Sequence, residues 1–114
     1  MSEPIPPPVL ALVRDLLFAS RISGAAKEAS RDLKIVRDPG RLADENGRLL
    51  IVDLNLEGAI DAAALWQQRT GGKTVGFVFH VDGPTISQAR GAGIQQIVTR
   101  GQFAQALPTI LSGS

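Results

Sequence analysis

The period of the hydrophobic pattern switches back and forth along this chain between that of a strand and that of a helix, and few architectures accept that order. Five short apolar runs read as strands: Val9 to Val13, Leu33 to Val36, Leu49 to Val52, Val75 to Phe79, and Gln96 to Val98. The first, third and fourth are almost uniformly apolar, as strands are when helices cover both faces of a parallel sheet. Between the runs, apolar residues recur at helical spacing. Phe18, Ile22, Ala25 and Ala29 share one face, as do Ala59, Ala62, Ala63 and Trp66. Asp82-Gly83-Pro84 opens a third helix through Ile86 and Ala89, because Pro suits a first helical turn and Asp the position before it. Gly91-Ala92-Gly93 closes it. Phe103, Leu107, Ile110 and Leu111 form a last amphipathic helix, in which Pro108 is expected to cause a kink or an early end.

Only the stretch from Asp38 to Arg48 breaks the rhythm. Pro39-Gly40 and Asn46-Gly47 bracket Arg41 to Glu45, which leaves room for one helical turn or a bare crossover. The order is therefore strand–helix repeated five times with the second helix abbreviated. Right-handed crossovers then give an α/β chain in three α/β/α layers, for which the flavodoxin-like five-stranded parallel sheet of order 2-1-3-4-5 is the expected arrangement. With 114 residues, one domain from 9 to 112 accounts for the chain, preceded by a Pro-rich N-terminal tail, residues 1–8. The tail lacks the basic start and apolar run of a secretory signal. It reads as a short extension, or as a docking peptide for a groove that takes polyproline.

Charge and cysteine content remove several function classes. Twelve Lys and Arg against eleven Asp and Glu leave a net charge of +1, too little field to hold nucleic acid or an anionic membrane without local clustering. With Cys 0 there is no disulfide, thiolate metal site or thiol nucleophile, which fits a reducing cytoplasmic location.

In an open parallel sheet the functional groups gather at the carboxyl ends of the strands, in the crevice where the strand order reverses, here between the first and third strands. The strand ends deliver Arg14-Asp15, Asp53-Leu54-Asn55, His80-Val81-Asp82 and Thr99-Arg100. Arg14, Asp15, Asn55, His80 and Arg100 are thus the candidate pocket residues around Asp53. Gly71-Gly72-Lys73-Thr74 has the ending of a phosphate loop, but Gln67 stands where the earlier glycine is needed and the segment leads into a strand. Gly91-Ala92-Gly93 also precedes a strand, so it is no dinucleotide fingerprint. Trp66 reads either as a helix-to-sheet packing residue or as an exposed interface anchor.

These residues resemble the receiver domains of bacterial two-component response regulators, from roughly Val9 to Leu111. Ile51-Val52-Asp53-Leu54-Asn55 is similar to the receiver's third strand, and the resemblance puts Asp53 at the phosphoryl-accepting aspartate. Ala92-Gly93-Ile94 is similar to the Ala-Gly-Ala segment before the last strand. Val98-Thr99-Arg100-Gly101-Gln102-Phe103 resembles its Thr-Lys-Pro-Phe segment, with Arg100 in place of the lysine, and Val13-Arg14-Asp15 falls at the first-strand acidic pair. The resemblance implies a Mg²⁺ ion bridging the acceptor and phosphoryl oxygens. Arg14 in place of the first acid argues against that ion. Phe79-His80 stands where receivers carry a hydroxyl and a small residue, and two rings there are expected to fill the space of a phosphoryl group. Arg100 suits a bidentate pair with Asp53 or Asp15.

Three readings follow. In the first, the chain is a stand-alone pseudo-receiver, not an enzyme, that acts in bacterial signalling by protein–protein contact or as a homodimer, without a cofactor. The resemblance points to the face made by the fourth helix, fifth strand and last helix, Ile86 through Leu111. Asp53 is then the acidic half of an Arg–Asp pair, and Asp15 caps the first helix rather than coordinating metal. In the second, Asp53 is the phosphoacceptor, Asp15 and Asp53 carry Mg²⁺, and Arg100 replaces the lysine. In the third, a small flavodoxin-like domain binds an anionic ligand with His80 and the arginines Arg14, Arg21 and Arg100. His80 suits an orienting or interface role better than that of a general base, because no serine lies on a strand-turn-helix elbow beside it.

Overall fold

In the computed structural model, which describes residues 7–79, 82–94 and 96–112, all five strands pair in parallel in the order β2-β1-β3-β4-β5. They are β1 (Val9–Leu12), β2 (Leu33–Val36), β3 (Leu49–Asp53), β4 (Lys73–Val78) and β5 (Gln96–Thr99). The connections carry helices α1 (Leu16–Glu28), α2 (Ala59–Thr70) and α3 (Gly83–Gly91), with α4 (Arg100–Ser112) after β5. The crossover between β2 and β3 holds only a 3-10 helix, Pro39–Asp44. This is the expected fold, abbreviated second helix included.

Strand alternation divides the core in two. Val9, Ala11, Leu49, Ile51, Val75 and Phe77 face α1 and α4, where Phe18, Ile22, Phe103 and Leu107 meet them. Leu10, Leu12, Leu50 and Val52 face the other side, against Leu42 of the 3-10 helix, Ala63 and Trp66 of α2, and Ala89 of α3. That two-sided burial is why every residue of β1, and of β3 as far as Val52, is apolar. β4 starts earlier than its apolar run: Thr74 pairs with Leu50 and is buried, so the strand takes in two residues that read as turn.

Side chains hold several of the helix ends. Asp15 accepts the Phe18 N–H at 2.8 Å through Oδ1 and so caps α1, as its position predicts. Asp38 does the same for Gly40 at the 3-10 helix, at 2.9 Å. At the far end of α4, Arg31 Nε donates to the Leu111 carbonyl at 3.1 Å and Nη2 to that of Ser112 at 3.2 Å. Pro108 does not shorten α4, which continues to Ser112. An interior proline costs roughly 3 kcal/mol. Burial of Leu107, Ile110 and Leu111 against the sheet, at about 1.5–3 kcal/mol each, outweighs it, and the Pro108 ring itself is exposed.

Candidate functional site

Asp53 is the last residue of β3 and is only 6% exposed. Buried carboxylates need donors, and Oδ1 accepts the Asn55 N–H at 2.9 Å. Asn55 in turn reaches across to β4, where its Oδ1 accepts the Phe79 N–H at 2.8 Å. The bend after β3 is thereby tied to the end of β4, reinforced by the Leu54 N–H to the Phe77 carbonyl at 3.0 Å.

Phe79 shares the face of Val75 and Phe77, the strand neighbour of Asp53. Its ring stands edge-on to Phe18 at 4.8 Å and to Phe77 at 5.4 Å, closing an aromatic stack that continues to Phe103. The ring packs into the layer under α1 and α4, on the side of the sheet that Asp53 also takes, two residues on from Ile51. His80 and Val81 lie outside the described residues, as do residues 1–6, so the expectations for His80 and for most of the Pro-rich tail fall there too.

Arg100 is not the partner of Asp53 or Asp15. Its guanidinium carbon sits 5.3 Å from the centre of the Phe79 ring, a cation–π arrangement at an exposed helix start. Arg14 likewise turns away from the crevice and donates from Nε to the Arg37 carbonyl at 3.0 Å. Arg21 is exposed on α1. Among the described residues the ion pair is Lys34–Glu45, at 2.6 Å on the β2 side. Asp15 and Asp53 each accept a backbone N–H, while Arg14 and Arg100 engage a carbonyl and a ring face.

The structure thus brings Asp53, Asn55 and Arg100 into one connected set through Phe79, while Arg14 and Asp15 serve the ends of their own elements. Asp15 Oδ1 is committed to the α1 cap, and no group of three His, Asp or Glu side chains converges among the described residues. The pairing of Thr99 with Gln102 escaped the sequence reading. Thr99 accepts the Gln102 N–H at 3.3 Å through Oγ1, and Gln102 Oε1 accepts the Thr99 N–H at 3.0 Å. This reciprocal box starts α4 and fixes Arg100 as its first residue. The signal was present as Thr-x-x-Gln, the pattern of a capping box.

No protein-family model and no curated protein matches the chain. Solved structures do. A response regulator from Thermotoga maritima superposes with a TM-score of 0.72 at 14% identity, over 95% of this chain and 99% of that one. A CheY-like receiver domain protein from Methanospirillum hungatei gives 0.74 at 10% identity, over 96% and 100%. The BeF3-activated DrrB receiver domain gives 0.78 at 11% identity, over 92% and 93%. The likeness covers nearly the whole of each molecule, and this chain has the fold of the response regulator receiver domains.

Proposed function

We propose that the chain is a receiver-fold signalling module that works by protein–protein contact in the bacterial cytoplasm and does not use Mg²⁺-dependent phosphorylation of Asp53. One observation carries this reading: the charged strand-end groups are already engaged within the fold. Asp15 holds a helix cap, Arg14 a carbonyl and Arg100 an aromatic face. A Mg²⁺ site of this fold needs carboxylates converging beside the acceptor, and Arg14 occupies one of those positions in the chain. Arg14 in place of an acid, and Asp15 committed to the α1 cap, do not fit the ion. Asp53 then acts as a structural acceptor that fixes the bend after β3 and, through Asn55, the end of β4.

The face built by α3, β5 and α4 is the contact surface in this reading. It spans Ile86 to Leu111 and presents Gln88, Arg90, Gln102 and Gln105 to solvent. Labelling tests the chemistry. Wild type and Asp53→Ala, incubated with acetyl phosphate and Mg²⁺, are expected to show the same negligible incorporation by intact-mass measurement. Stoichiometric modification that needs both Mg²⁺ and Asp53 would overturn the reading in favour of a working phosphoacceptor.

A further inference from the structure

Helix α2 carries an apolar face that the fold leaves uncovered. Leu65 is 66% exposed, and beside it an open groove of about 700 Å³ runs between α2 and the 3-10 helix, walled by Pro39, Gly40, Ala43, Ala62 and Trp66. Asp61 and Arg69 are exposed as well, one helical turn before and one turn after Leu65. We propose that this face is a two-fold interface between two copies of the chain, with the two α2 helices antiparallel and Leu65 on the axis.

The order of charges selects that occupant. A two-fold axis through Leu65 maps each position before it onto the position equally far after it in the other copy. Asp61 of each copy then faces Arg69 of the other, giving two opposite-charge pairs that flank an apolar centre. The same axis would set like charges against each other had both ends of the helix carried one sign. Arg69 is also held in place beforehand. Nη1 donates to Asn46 Oδ1 at 2.9 Å, and Nη2 donates to the carbonyls of Leu42 and Glu45, so little side-chain freedom remains to be lost on pairing. Small residues at Gly40, Ala43 and Ala62 leave the groove wide enough to receive the Leu65 side chain of the other copy. The inference does not rest on the reading above, since this surface lies on the flank of α2 away from α3.

The test uses the full chain. Sedimentation from micromolar to millimolar concentration is expected to show a monomer–dimer equilibrium. Leu65→Ser should raise the dimer Kd by at least about tenfold with an unchanged circular dichroism spectrum, because the side chain is exposed in the monomer. Asp61→Arg, which sets like charges opposite one another, should weaken the dimer in the same direction. Because the natural chain has Cys 0, Leu65→Cys reports the axis directly. Under oxidised glutathione two such thiols, one from each copy, should join as a disulfide dimer far faster than those of Ser23→Cys, an exposed position on α1. A wild type that stays monomeric at millimolar concentration, a Kd indifferent to Leu65→Ser, or equal crosslinking rates at the two positions would each overturn the proposal. The first outcome would leave the groove to a different partner.

Discussion

Gly72→Ala is the substitution whose effect the structure determines most sharply. A Cβ built on Gly72 would lie 2.3 Å from Cη2 of Trp66, 2.9 Å from Cζ3 and 3.1 Å from Cζ2. Carbon atoms do not tolerate separations under 3.0 Å, so the indole edge or the strand start must move by more than half an ångström. Neither moves easily. The indole is a rigid fused ring, 1% exposed, and Gly72 is the step from the end of α2 into β4, with its N–H bonded to Thr70 Oγ1 at 3.1 Å. Overpacking of a core costs about 1–3 kcal/mol, and a rigid ring belongs at the upper end. At roughly 4–8 °C per kcal/mol for a domain near this size, the melting temperature should fall by roughly 10–20 °C. The decisive assay is a double-mutant cycle by reversible denaturation. Trp66→Phe removes the ring edge that meets the new methyl, and it also removes an indole N–H that is buried without a hydrogen-bond partner. Its own cost should therefore be milder than the lost area suggests. In the Trp66→Phe background, Gly72→Ala should cost less than about 1 kcal/mol, a coupling of roughly 2 kcal/mol between the two positions. A silent Gly72→Ala, or the full penalty persisting in the Trp66→Phe background, would refute the steric argument. Gly71→Ala makes the contrast: nothing lies within 4 Å of its Cβ, and its cost comes from φ +70, about 1–2 kcal/mol whichever ring stands at position 66.

Three further outcomes are expected. Arg31→Ala removes both side-chain donors from the last carbonyls of α4 and should cost about 1–3 kcal/mol in urea unfolding, with Arg31→Lys recovering only part, since one ammonium cannot span both acceptors in the same geometry. Asp15→Ala should cost about 1 kcal/mol through loss of the α1 cap, and Asp15→Ser much less; equal losses would show that charge rather than capping matters there. Arg100→Ala should cost about 0.5–1 kcal/mol, and the loss should vanish in Phe79→Leu if the ring face is the partner.

The architecture was legible because β1 and the first four residues of β3, buried on both faces, are all apolar. β2 matches its predicted limits at Leu33 and Val36, and β1 and β3 begin where their apolar runs begin. β4 was read short because Lys73 and Thr74 look like turn residues, whereas burial of Thr74 depends on its pairing with β3, a long-range fact. Pro108 does not bring the early end that local propensity allows, because the three buried apolar residues around it are fixed by the sheet. Asp15 was legible as a cap because capping is local. Arg14 and Arg100 were not, since a guanidinium on a long stem chooses among acceptors that sequence spacing cannot rank. The packing of Phe79 is legible by counting: two residues on from Phe77, it falls on the face of Val75 and Phe77. Of the two readings of Trp66 the packing one holds and the exposed anchor does not: the indole is buried on the sheet over Gly72.

The groove itself follows from the abbreviated crossover. Six residues of 3-10 helix extend about 12 Å, while the twelve residues of α2 extend about 18 Å, so the shorter element cannot cover the longer one along its length. Leu42 is the one residue of the 3-10 helix that is buried, and it seals the sheet beneath without reaching the outer side of α2. Arg69 then fastens the loop after the short helix to the end of α2, through Asn46 and the carbonyls of Leu42 and Glu45, which holds the groove open at a fixed width. A longer helix in this crossover would have buried Ala62 and Leu65 within the monomer. Trimming it moves that apolar surface from the fold to the outside, where only another molecule can cover it.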